Sequence, residues 1–82
     1  MTDEELLKVA EQVLQNAIAE AEFTREPKDL EFVKFVAQKV EGLRAKIAGR
    51  KEVMLETVGM QDGRIYFHWK MELPGLFRKA TP

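Results

Sequence analysis

Hydrophobic residues along the chain keep two different periods, and the change falls at Gly49. Before it, apolar positions recur at steps of three and four, the spacing of a helix that buries one side. In the first segment these are Leu6, Leu7, Ala10, Val13, Leu14, Ala17, Ile18 and Ala21, with Glu4, Lys8, Glu11, Gln15 and Glu22 opposite. Thr2 and Glu5 have the spacing of a capping box, and neither Gly nor Pro interrupts the segment after them. A helix is therefore predicted over about 3–22. Phe23-Thr24-Arg25-Glu26-Pro27 breaks the period: Pro27 disfavours helical geometry at Glu26 but suits the first position of a new helix. A second helix is predicted over about 27–48, with Leu30, Val33, Val36, Ala37, Val40, Leu43 and Ile47 as its main stripe and Gly49 as its left-handed stop. So short a link predicts an antiparallel helical hairpin.

Past Gly49 the alternation runs to every second residue. Ile65, Phe67, Trp69, Met71 and Leu73 fall on one side, and Arg64, Tyr66, His68, Lys70 and Glu72 on the other. With the strand-length segment 52–60 and the Gln61-Asp62-Gly63 turn before them, they predict a β-hairpin over about 52–73. A two-residue Asp62-Gly63 turn would set Glu56 against Trp69 on the buried side. A three-residue loop, with Gly63 as a left-handed bulge, pairs Val53, Leu55, Thr57 and Gly59 with Met71, Trp69, Phe67 and Ile65. Glu56 then faces His68 in solvent. The longer loop buries no charge, and it is the expected register.

The predicted class is α+β in the order ααββ, a single domain over 1–82 with a helical hairpin packed on one face of an antiparallel β-hairpin. Trp69, Phe67, Ile65 and Met71 should meet Val13, Ala17, Val33, Val40 and Leu43 in the core. Residues 74–82 read as a tail, ordered only if Leu76 and Phe77 find a pocket.

Composition then removes most chemistry. The 82 residues leave room for one core, and thirteen Lys and Arg against fourteen Asp and Glu give a net charge of -1. That balance argues against a polyanion binder that works through net charge alone. There is no Cys and no Ser, one His and one Asn, so disulfides, thiolates and a single-chain transition-metal site are not expected. The glycines Gly42, Gly49, Gly59, Gly63 and Gly75 form no phosphate-binding pattern. His68 with Glu56 could pair a base with an orienting carboxylate, yet no nucleophile accompanies them. No catalytic, cofactor or metal-binding residues are expected, and the chain does not read as an enzyme. No apolar run nears the ~20 residues of a membrane span, and the acidic start is unlike a secretory signal. A cytoplasmic protein without membrane contact is the expectation.

Two surfaces are left for a partner. On the second helix Phe32 sits at the margin of the apolar stripe, and Phe35 lies about 60° beyond it at 100° per residue. Phe35 emerges among Lys28, Glu31, Lys39 and Lys46, and Gly42 comes after it on the same side, where close approach would offset its helix cost. Phe32, Phe35, Lys39 and Gly42 are the candidate partner-binding residues of a non-catalytic interaction module, expected as a homodimer or bound to another protein, as a regulator or accessory subunit. Edge pairing of two hairpins is the other route to a dimer. The second function class is a small RNA- or DNA-binding protein. It would use the outer strand face Arg64, Tyr66, His68 and Lys70, with Arg50 and Lys51 at the hairpin's start and Arg78 and Lys79 in the tail. Glu52, Glu56 and Glu72 dilute that face.

Overall fold

The computed structural model describes residues 1–71 and contains two helices and then a two-stranded antiparallel sheet. Helix α1 spans Asp3–Thr24 and α2 spans Pro27–Ala48. The capping box at the start of α1 is complete: Thr2 Oγ1 accepts the Glu5 N–H at 3.2 Å, and Glu5 Oε1 accepts the Thr2 N–H at 2.9 Å. The helix runs two residues past its predicted end and closes on Arg25, which takes a left-handed conformation (φ 57°) and donates its N–H to the Ala21 carbonyl. Pro27 begins α2 without a lost hydrogen bond, because the first N–H groups of a helix have no partner within it. The Thr24 hydroxyl donates to the Asp29 carboxylate and ties the end of α1 to the first turn of α2. Gly49 ends α2 at φ 67°, as its position predicts.

The helices lie antiparallel, with Arg44 Nη2 2.6 Å from Glu11 Oε2 and Lys46 Nζ 3.6 Å from Asp3 Oδ2. Their contact is built from small side chains. Ala17 and Ala21 of α1 are buried, as are Val33, Val36, Ala37, Val40 and Ala45 of α2. Such residues let the backbones approach closely, but each contributes little apolar area.

Strand β1 spans Leu55–Gln61 and β2 spans Arg64–Trp69. Here the register differs from the sequence expectation. Asp62 (φ 53°) and Gly63 (φ 76°) are both left-handed, so they form a two-residue turn of the primed type, and Gln61 pairs with Arg64. Glu56 still avoids the core, because β1 takes up an extra residue there: Thr57 pairs with His68 while Leu55 pairs with Trp69. The bulge achieves what the longer loop was expected to achieve. Glu56 stays exposed, its Oε1 3.9 Å from His68 Nδ1, and Val58 and Met60 replace Thr57 and Gly59 opposite Phe67 and Ile65. Gly63→Val places a β-branched residue in the left-handed region and should lower stability by about 1–3 kcal/mol, read by thermal or urea unfolding.

Val58, Ile65 and Phe67 pack on Ala17, Ala21 and Val33, together with Leu14, Ile18 and Leu30. The hairpin runs along the helices with its tip near their turn, where Arg25, Leu30, Met60, Asp62 and Gly63 line one shallow depression. The expected core needs three corrections. Met71 is 69% exposed and Val13 is 39% exposed, so neither is a core residue. Trp69 is half-buried, its ring tilted against Phe67 at 6.2 Å between centroids. Leu55, across from Trp69, is the buried residue of the described strands. The expectations for 72–82 (Leu73 as strand, Leu76 and Phe77 in a pocket) lie outside the described residues.

Candidate functional site

Helix α2 has three working sides: one on α1, one under the sheet, and one open. The side under the sheet carries polar groups that substitute for a neighbouring strand. Gln38 Oε1 accepts the Leu55 N–H at 2.6 Å, and Gln38 Nε2 donates to the Val53 carbonyl at 2.9 Å. One turn on, Glu41 Oε2 accepts the Val53 N–H at 2.9 Å and receives Arg50 Nη1 at 2.5 Å, while Glu41 Oε1 receives Arg50 Nη2 at 3.0 Å. The Glu41 side chain is only 11% exposed, whereas Arg50 is 45% exposed. The Arg50 guanidinium holds the Glu41 carboxyl below the usual carboxylate range, against the opposing effect of burial, with the Val53 N–H adding to the shift. On the other edge of the sheet, Glu22 Oε2 accepts the Ile65 N–H at 3.0 Å. Under the pairing rule for a two-residue turn, that N–H points away from β1 and would otherwise stand open.

On the open side Phe32 is 51% exposed and Phe35 59% exposed. Lys39 Nζ stands 5.4 Å from the centre of the Phe35 ring, in cation–π range, so the lysine tracks the aromatic across the surface. Phe32 looks into the open groove between the helices, lined also by Val13, Asn16, Ala17, Glu20 and Asp29. Phe35 borders a second depression with Gln38, Lys39, Gly42, Lys46 and Glu52. Three of the four sequence candidates, Phe32, Phe35 and Lys39, thus share an exposed surface. Gly42 lies beside them, but its space is occupied from within the chain. A Cβ there would stand 3.0 Å from Glu52 Oε1, a carboxylate that Gln38 Nε2 also holds, at 2.6 Å from Oε2. Because Glu52 is exposed and can yield, Gly42→Ala should raise stability by up to about 1 kcal/mol from helix propensity, measurable as a higher Tm.

The outer sheet face presents Arg64, Tyr66 and His68 on β2, with Lys70 just beyond, all exposed. Tyr66 lies across Gly59, its strand partner; a Cβ at Gly59 would come within 2.5 Å of the ring. One face of the ring is therefore spent on the sheet. Arg50 does not join this face, since its guanidinium is bound to Glu41 and to the Lys51 carbonyl at 3.1 Å. Lys51 is exposed at the start of the hairpin segment.

Among the described residues, no group of three His, Asp or Glu side chains is placed to hold a metal ion, and no helix is long and apolar enough to cross a membrane. Sequence reasoning missed the polar side chains Gln38, Glu41 and Glu22 as partners of strand N–H groups, for they carry no pattern distinct from ordinary solvated positions. It also placed Leu6 and Val13 in the apolar stripe of α1, although these residues are 43% and 39% exposed. Comparison with protein-family models, curated proteins and solved structures gave no match.

Proposed function

We propose that the chain is a non-catalytic protein-interaction module that works as a homodimer, with a regulatory or accessory role toward other proteins. The observation that carries this reading is an imbalance of burial. The buried apolar positions of the two helices are all Ala and Val, while Phe32, Phe35, Val9 and Ile47 stand between 41% and 59% exposed. A small domain that keeps its larger apolar groups outside gains stability when a partner covers them. The open side of α2, with Phe32 and Phe35 as anchors and Lys39 at their edge, supplies such a surface. Sheet-edge pairing is the less favoured route, because Gln38, Glu41 and Glu22 already engage N–H groups along both edges.

The test is a mass measurement by light scattering at tens of micromolar, made on the wild type and on Phe32→Glu/Phe35→Glu. Two carboxylates in a desolvated contact should leave that variant monomeric while its helical circular dichroism persists. A dimer unchanged in the double variant removes this surface of α2 from the interface.

Nucleic-acid binding through Arg64, Tyr66, His68 and Lys70 is the second reading, favoured by their common exposure on one strand face. Against it stand Glu56 beside His68, the engagement of Arg50 with Glu41 and the half-covered Tyr66 ring. Salt-dependent binding of a mixed-sequence single-stranded RNA, weakened in Arg64→Ala/Lys70→Ala, would favour this second reading.

A further inference from the structure

We infer that two copies of the chain pair through the side of the helical hairpin that faces away from the sheet, with α1 of each copy lying on α2 of the other. This rests on the homodimer proposed above and adds α1 to its interface. Leu6, Val9 and Val13 succeed one another at steps of three and four, so they form one strip along α1. They are 43%, 51% and 39% exposed. Val13 shares the open groove with Phe32, and no described strand residue lines that groove, whereas Val58, Ile65 and Phe67 of the sheet pack on Ala17, Ala21 and Val33. The strip therefore lies on the side the hairpin does not reach. At the other end of α2, Ile47 is 41% exposed.

Area and charge both point to a second copy as the occupant. Each helix has 22 residues. Two such helices side by side present a face of about 33 by 20 Å, roughly 650 Å² per copy. Two such faces bury roughly 1,300 Å² together, within the range of specific interfaces. Residues 1–23 hold six acids and one Lys, while 27–48 hold five basic and three acidic residues. A two-fold axis across the helices would set α1 on α1 and bring like charge together. An axis along the helices sets α1 on α2 of the other copy and preserves the level of each residue. Asp3 and Lys46 already share one level through their ion pair, and Glu20 shares the groove with Asp29, next to Lys28. The second arrangement thus brings Asp3 of one copy to the level of Lys46 of the other and sets the acidic helix on the more basic one, and it is the one the net charges of the helices favour.

Sedimentation velocity at tens of micromolar, with Val13→Glu and the more exposed Val9→Glu beside the wild type, provides the test. Each variant should keep its helical circular dichroism and weaken the dimer at least about 100-fold. Because the chain has no Cys, an oxidised equimolar mixture of Val13→Cys and Phe32→Cys chains reads the pairing directly. Mixed disulfide dimers should predominate. Predominant Val13→Cys self-pairs would put α1 on α1 and overturn the arrangement. A dimer that survives both glutamate variants but dissociates in Phe32→Glu/Phe35→Glu would overturn this face and leave the homodimer standing. A monomeric wild type would overturn both.

Discussion

A Val33→Asp chain is expected to lose its cooperative thermal transition. Among the described residues Val33 is the largest side chain that is completely covered, and it lies where both helices meet the sheet. Around it stand Ala17, Ala21, Leu14, Ile18, Leu30, Val58, Ile65 and Phe67, none of which offers a side-chain hydrogen bond. A carboxylate there must remain charged without a partner or take up a proton, and either course costs several kcal/mol. Against a total stability of about 5–15 kcal/mol for a typical domain, that is enough to unfold much of the population. Val33→Ala is the control. It removes about two methylene equivalents and should cost about 1.5–3 kcal/mol while leaving a measurable transition. A Val33→Asp chain that melts near the wild-type temperature would show that the two helices and the sheet do not converge on this residue.

The second large effect concerns the Glu41 carboxylate. Glu41→Ala removes the acceptor for both Arg50 nitrogens and leaves the Val53 N–H without its partner. Arg50 is nearly half exposed and can return to water, so the loss falls below that of a fully buried pair, at about 2–3 kcal/mol. The same site gives the stability a sign with pH. Because the folded Glu41 pKa lies below its ordinary value of 4.5, the unfolded chain binds a proton here more readily than the folded one. The contribution is fully present above the unfolded pKa and is lost as pH falls through the folded pKa. Unfolding free energies measured from neutral pH down through the glutamate range should therefore fall less steeply for Glu41→Gln than for the wild type. Parallel slopes would show that this carboxylate is not held by the contacts described.

The helical half of the fold was legible almost to the residue, for physical reasons. A capping box, a Pro at a first helical position and a Gly at a left-handed stop are local signals, and Thr2 with Glu5, Pro27 and Gly49 each act where they stand. The end of α1 ran over by two residues because Arg25, a residue without special left-handed preference, supplied the stop. The hairpin's existence and the Leu55–Trp69 pairing were legible too, but the route to them was not. Avoiding a buried Glu56 can be achieved at the loop or at a bulge, and alternation alone does not separate the two. Asp62-Gly63 favoured the shorter turn, and the chain took it.

At the candidate surface, Phe35 and Phe32 could be seen to fall outside the main stripe, because residue number alone sets an angle on a helix. What covers Gly42 could not, since Glu52 reaches it from a segment whose path depends on the whole fold. The exposure of Leu6 and Val13 was hidden for a related reason. A broad apolar stripe on α1 was assigned to one face, whereas the sheet packs on the part around Ala17 and Ala21.

Whether the chain pairs is decided by sedimentation equilibrium of the wild type over a range of concentrations. Pairing predicts a mass twice the 9.5 kDa of one chain at tens of micromolar, relaxing toward one chain on dilution. A mass of 9.5 kDa throughout that range would contradict it.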